Sequence, residues 1–298
     1  MPVAFADYLE AKFDLDERSL NREVRAGCLA ALRLLPELRC LDVGAGTGAT
    51  VRRLLAAGLD LPIALTAIDR DPLLLGIARE DAAQRLRAQG RDISVEAGEV
   101  HAAGHPSMAL QFHACEFQDY RPERPCNLVT AHAFLDIVPL ADALRLFADW
   151  LEPGGYLYAS LNYDGGTTLL PTGDDAAFEA TLIEYYHETM ERRRVDGKAI
   201  GGAHCGRRLY RALPEHGFDI LACGSSDWSI TPFFGEYRGG DAACLQALLD
   251  MIGGEAQRSG LFDAGRLERW RDDRARCLRE GRLGLVAHQL DLLARYEP

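Results

Sequence analysis

The sequence predicts an α/β fold, a mostly parallel sheet with helices on both faces, and three observations carry that expectation. Five short apolar runs between residues 39 and 161 alternate with stretches of helical periodicity. That alternation builds a parallel sheet through right-handed crossovers. Residues 63–68 are continuously apolar, the mark of a strand buried on both faces. A glycine turn, Gly44-Ala45-Gly46-Thr47-Gly48, joins the first strand directly to a helix.

Each element has a local cause. Residues 3–13 and 17–35 read as two helices. In the second, Leu20, Val24, Cys28, Leu32 and Leu35 recur at helical spacing before Pro36 stops it. The first strand is 39–43, followed by a helix over 49–57 and the second strand, 63–68. Asp71-Pro72 opens a helix that runs to 88, with Pro at a tolerated first-turn position. Residues 90–108 read as irregular, with a short strand pair around 93–95. The third strand is 109–114 and the fourth 128–131; a helix over 140–150 follows Pro139, and the fifth strand is 156–161.

Beyond that point the alternation fails. Residues 162–173 read as a polar, glycine-rich loop, and 174–194 as a helix with Phe178, Leu182, Tyr185, Tyr186 and Met190 on neighbouring turns. Residues 196–206 read as loop, and a helix over 206–216 ends at Gly217, a C-cap residue. The sixth strand is 218–223, and helices over 241–252 and 263–280 precede a last strand, 283–293.

The glycine turn is the most informative stretch. Gly44, Gly46 and Gly48 let backbone pass where a Cβ would clash, so a ligand can sit against main-chain N–H groups and the helix start. Gly44, Gly46 and Ala49 also fit the dinucleotide pattern G-x-G-x-x-A. Asp42 tells against a pyrophosphate there and favours a ligand carrying an ammonium group. Asp69 ends the second strand 21 residues after Gly48, placed to accept hydrogen bonds from ribose hydroxyls. Pro153-Gly154-Gly155 turns the chain into the fifth strand.

Together these motifs resemble the class I, Rossmann-like S-adenosylmethionine-dependent methyltransferases, over residues 38–165 well and over the remainder loosely. The resemblance implies a seven-stranded, mostly parallel sheet whose last two strands form a reversed hairpin, the seventh antiparallel. It implies S-adenosyl-L-methionine as cofactor and S-adenosyl-L-homocysteine as product. Asp42, Gly44, Ala45, Gly46, Thr47 and Gly48 would hold the donor, with Asp69 at the ribose and Arg70 beside it. Cys115-Glu116-Phe117 maps to the adenine segment, where Glu116 stands in place of the commoner Asp. Ala131 would lie beside the methionine portion; Lys12 or Arg18 is a candidate to neutralise its carboxylate, a charged outer helix face being the alternative. The expected organisation is an N-terminal helical cap (1–37), a donor-binding core (38–165), an inserted helical lid (166–205) and a C-terminal completion of the sheet (206–298).

The acceptor site must come from loops at the carboxyl ends of the strands, from the leading helices or from the lid. His132, just past the fourth strand, is the candidate base or acceptor ligand; a structural histidine is the alternative. Asp136 is a second candidate or a cap, and Asn162, Tyr163 and Asp164 a binding loop or an ordinary turn. Tyr185 on the expected lid and Trp228 after the sixth strand complete the set, with core packing the alternative for Trp228.

Composition narrows the acceptor. Net charge is 33 − 45 = −12, which argues against a nucleic-acid substrate. None of the eight cysteines shows C-x-x-C spacing, so no metal is expected. No signal-like or membrane-length apolar run is present, and a cytoplasmic enzyme with a small-molecule acceptor is expected, a homodimer being the assembly left open. The expected reaction is methyl transfer to an O, N or S atom by in-line displacement. Alternatives are a protein or peptide side-chain methyltransferase, a nicotinamide-dependent oxidoreductase, and a non-catalytic S-adenosylmethionine-binding protein.

Overall fold

In the computed structural model, which describes residues 2–96 and 98–298, two helices lead into the sheet, α1 (Pro2–Ser19) and α2 (Arg22–Leu32). The break between them falls later than the expected helices over 3–13 and 17–35 imply. Leu15 is fully buried against the helices of the C-terminal half and keeps α1 helical past Asp14. The Asn21 side chain then caps α2, accepting from the N–H groups of Glu23 and Val24 at 3.1 Å.

The core alternates as expected: β1 (Leu38–Val43), α3 (Ala49–Ala56), β2 (Ile63–Asp69) and α4 (Pro72–Ala88). A hairpin, β3 (Ile93–Glu96) and β4 (Glu99–Ala102), precedes β5 (Met108–Ala114), β6 (Cys126–His132), α5 (Leu140–Trp150) and β7 (Leu151–Leu170). After β7 come α6 (Ala176–Arg192), a small hairpin of β8 (Arg194–Val195) and β9 (Lys198–Ala199), α7 (Cys205–Glu215) and β10 (Phe218–Ser225). The chain ends with β11 (Trp228–Ile230), α8 (Asp241–Ser259), α9 (Ala264–Arg279) and β12 (Gly284–Tyr296).

The main sheet has ten strands among the described residues, in the order β10-β12-β7-β6-β1-β2-β5-β4-β3, with β11 on β12. Seven of them make the expected framework; β3, β4 and β11 are additions, so the expected count of seven is corrected to ten. As expected, the last strand is antiparallel: β12 runs against both β7 and β10. One face of the sheet is covered by α2, α3 and α4, the other by α5 and α7.

The largest departure is residues 162–173. Their Asn-Tyr-Asp-Gly-Gly composition reads locally as a turn, yet β7 runs on to Leu170. Its partner supplies the reason: β12 pairs with it from Tyr156↔Arg295 out to Leu170↔Gly284, and bulges near Asn162 and Gly166 absorb the irregular residues. Leu161 takes a φ of +58° at the bend, held by its N–H donating to the buried Asp291 carboxylate at 2.8 Å. The long β7–β12 ribbon carries a third apolar cluster beyond the sheet, built from α1, α6, α8 and α9. In this way α6, the expected lid helix, is packed among elements from residues 241–279.

Candidate functional site

Strand periodicity brings one row of polar side chains to the carboxyl end of the sheet. Asp42 on β1 is registered with Thr130 on β6, and Thr130 with Tyr158 on β7; the next row pairs His132 with Ser160. Side chains two apart share a face, and this face is the one under α2 and α3. Asp42 is 2 % exposed, and its Oδ1 accepts from the hydroxyls of Thr50 at 2.8 Å and Thr130 at 2.7 Å. Its Oδ2 is buried with no hydrogen-bond partner among the described residues. Burial pushes the carboxyl up to about 6, against the pull of the two threonine hydroxyls and of Arg53.

The glycine turn wraps over this acid. Gly44, Gly46 and Gly48 have φ of +68°, +53° and +88°, and a Cβ on Gly44 would stand 2.4 Å from the Phe134 ring. The N–H groups of Gly44 and Ala45 donate to the Ile68 carbonyl, and that of Gly48 to Ala45. Gly46 N–H donates to Asp69 Oδ2 at 2.9 Å, while Asp69 Oδ1 accepts from Asp71 N–H at 2.9 Å. Asp69 therefore holds the loop, and each of its oxygens keeps a lone pair. Gly48 is the N-cap of α3 and offers no side chain to its first N–H groups. Those donors are open to a ligand, beside a positive helix end.

Helix α1 covers the turn. Leu9, Lys12, Phe13 and Asp16 line a cleft together with Asp42, residues 44–47, Thr50, Arg53 and His132. Two ion pairs clamp α1 to α3: Arg52 to Glu10 at 2.8 Å and Arg53 to Glu17 at 2.5 Å. Lys12 pairs with Asp16 at 2.5 Å, and Asp16 also accepts from the Trp228 indole at 2.9 Å. Of the two cations expected near the donor's carboxylate, Lys12 lines the cleft, whereas Arg18 is bound to Asp241 at the start of α8.

His132 lines the same cleft. Its Nδ1 is bonded to the Ser160 hydroxyl, and its ring meets Tyr158 edge-on at 5.1 Å. Burial, together with the positive charges of Arg53, Lys12 and Arg25, holds its pKa well below the usual range. In the tautomer whose Nδ1–H donates to Ser160, the neutral ring leaves Nε2 as an acceptor. Asp136 follows in a short 3₁₀ turn, with Oδ1 buried and unpartnered among the described residues and burial pushing it up to about 6.

The other sequence candidates are dispersed. Ala131 is buried in β6, in register with Val43. Phe117 packs edge-on against Phe134 at 5.3 Å, so it stands near the turn, while Glu116 and Arg70 are exposed at the ends of β5 and β2. Asn162 donates to the Leu290 carbonyl at 2.9 Å within the sheet. Tyr163 hydroxyl bonds to His187 and Thr167, each at 2.6 Å. Asp164 caps α7, accepting from the Arg207 N–H at 2.9 Å. Tyr185 faces away, against Phe262 at 5.2 Å.

Sequence reasoning missed Thr50, Thr130, Tyr158 and Arg53. Thr130 was findable, because it shares a strand face with His132. Arg53 is 9 % exposed, yet a helical Arg in an alternating sequence reads as solvated, and its burial comes from α1 closing over it.

One solved structure, at a TM-score of 0.50, agrees with this architecture. No family model matches the chain, and no curated protein matches it. Among solved structures it is similar to the YcgJ protein from Bacillus subtilis, at 11% identity over 93% of this chain and 99% of that one, with a TM-score of 0.50. It is also similar to YjhP from E. coli, at 16% identity over 95% and 98% of the two chains and a TM-score of 0.44. A further match is a Haemonchus contortus phosphoethanolamine N-methyltransferase holding S-adenosylhomocysteine, at 12% identity over 92% of this chain and 52% of that one, TM-score 0.43. With its strand order and antiparallel final strand, the chain has the Rossmann-like methyltransferase fold.

Proposed function

We propose that the chain is an S-adenosylmethionine-dependent methyltransferase acting on a small molecule. One observation carries the reading: a buried, unpartnered carboxylate oxygen on Asp42, directly beside a glycine turn and an uncapped helix start. A buried polar atom without a partner is costly, and an ammonium group is the partner a carboxylate best accepts. The residues fit the donor: Asp42 for its ammonium, Lys12 for its carboxylate, the turn for its backbone approach and Asp69 for its ribose hydroxyls. Phe117 supplies an apolar surface for the adenine.

When bound, the donor supplies a methyl group already activated on a sulfonium. What remains for the protein is alignment and exclusion of water, worth roughly 7–11 kcal/mol in favourable cases. Helix α1 provides the exclusion, since it roofs the cleft. His132, kept neutral by burial and held by Ser160, orients the nucleophile through a hydrogen bond at Nε2 in the tautomer whose Nδ1–H donates to Ser160; its lowered pKa makes it a weak base, so a nucleophile that needs little proton removal suits it best. The cleft under α1 favours a small acceptor over a protein chain.

Calorimetry with S-adenosylmethionine and S-adenosylhomocysteine tests the reading, and micromolar binding is expected. No heat from either ligand with folded protein overturns it. Transfer of labelled methyl to a metabolite panel then separates an enzyme from a binding protein. Asp69→Ala is expected to lower donor affinity at least tenfold, since hydrogen bonds to a charged acceptor are worth about 1.5–3 kcal/mol each. Unchanged affinity would remove Asp69 from the ribose.

A further inference from the structure

Behind His132 lies a second cavity, between α2, α3 and the sheet, that shares Thr50, Arg53 and His132 with the cleft under α1. Two buried polar atoms in its wall have no hydrogen-bond partner among the described residues: Arg53 Nη1 and the Tyr158 hydroxyl. Arg53 is 9 % exposed and Tyr158 6 %. Arg53 Nη1 can only donate, and the Tyr158 hydroxyl has a hydrogen free to donate. Arg25 stands beside them, and one carboxylate, Glu17, serves both arginines, at 2.5 Å from Arg53 and 3.3 Å from Arg25. Asp42 and Asp291 also lie near Arg53, but neither is paired with it, so its Nη1 stays without a partner among the described residues. Thr50 and Thr130 also line the cavity, but their hydroxyl hydrogens are committed to Asp42. The remaining wall is apolar, with Leu20, Leu29, Leu32 and Leu54.

We propose that this cavity is an anion subsite that takes the carboxylate of a short, otherwise apolar acid, the methyl acceptor. The proposal rests on the methyltransferase reading for the word acceptor, but not for the anion site itself. An unpartnered guanidinium N–H beside a hydroxyl with a free hydrogen suits an anion, and hydrogen bonds from a guanidinium to a carboxylate are among the strong ones. Aliphatic walls select an apolar body. The donor's own carboxylate is a poorer occupant, because it carries an ammonium two bonds away and this wall offers that group no carboxylate. The cavity measures about 40 Å³ over water centres, room for about three waters at 10–15 Å³ each. The acid is therefore short, or enters by its carboxylate end with the rest lying past His132.

The test is an NMR titration of the full chain with propanoate and its neutral isostere propanamide, with and without saturating S-adenosylhomocysteine. Tyr158→Phe and Arg25→Gln are run beside the unaltered protein, with melting temperatures as the folding control. Propanoate is expected to bind at least tenfold more tightly than propanamide. Tyr158→Phe, which removes only a hydroxyl, is expected to weaken propanoate roughly tenfold while leaving S-adenosylhomocysteine affinity unchanged. Should Tyr158→Phe fail to fold, a similar loss in Arg25→Gln supports the site and none overturns it. Equal binding of the acid and the amide overturns the proposal. So does a loss of S-adenosylhomocysteine affinity in Tyr158→Phe, which would give these donors to the cofactor's carboxylate. Propanoate binding that depends on Tyr158 in a protein with no affinity for S-adenosylhomocysteine would uphold the anion site and fell the methyltransferase reading instead.

Discussion

Asp42→Asn is expected to make the free protein more stable above pH 6 and to lower its affinity for S-adenosylmethionine by roughly ten- to a hundredfold. Both effects come from the same buried oxygen. Burial raises the Asp42 carboxyl from its ordinary 3.8 to about 6 in the folded chain. Between those values the unfolded chain gives up the proton while the folded chain keeps it, so stability falls as pH rises through this window. Above pH 6 the folded state carries the whole cost; below 3.8 it carries none. A shift of about two units corresponds to about 3 kcal/mol. Asparagine cannot ionise, and its amide oxygen still accepts from Thr50 and Thr130. Scanning calorimetry should show the variant melting several degrees higher at pH 8 and alike at pH 3.5. The lost ammonium contact, worth about 1.5–3 kcal/mol, sets the affinity change. A variant that melts lower at pH 8 with undiminished donor binding would mean Asp42 is an ordinary structural acid.

Glu179→Ala should lose about 3 kcal/mol of stability, more than a surface substitution by a wide margin. Glu179 sits on the buried face of α6 and accepts from the Trp270 indole at 2.9 Å and the Gly173 N–H at 3.1 Å. Arg274, only 2 % exposed, lies 3.5 Å from it and donates to the Pro171 carbonyl at 2.7 Å. Removing one partner of a buried pair leaves the other charge uncompensated, a cost of about 3–5 kcal/mol. Asp273 still pairs with Arg274, which holds the expected loss to the lower end. Denaturant unfolding measures it; a loss under about 1 kcal/mol would show that α6 is loosely held. The same packing bears on motion: hydrogen exchange in α6 should already be slow without ligand, and ligand-dependent protection should appear in α1. Protection confined to α6 would restore it as the moving element.

How far the sequence could be read follows from the range of the interactions involved. The parallel core, the glycine turn, its acid and Asp69 are local signals. A strand buried on both faces must be apolar, and a turn with three positive φ values needs glycines wherever the rest of the chain goes. His132 was legible because it ends a recognisable strand. The continuation of β7 through Asn162 to Leu170 was not legible. Its turn-like residues are extended only because β12, more than a hundred residues later, pairs with them. Leu15 kept α1 intact for a similar reason, its partners lying in the C-terminal half. The two acids of the expected site illustrate the division best. Position in the motif marked Asp42 and Asp69 alike, but tertiary packing alone decided that Asp42 is sealed with an unpartnered oxygen while Asp69 holds the loop through Gly46. Arg53 and Tyr158 were invisible in the sequence, because burial of a cation or a phenol depends on which distant helix closes over it. Local chemistry determined the fold and the glycine turn; the shape of the cavities beside it was decided only where α1, α2 and α3 meet the sheet.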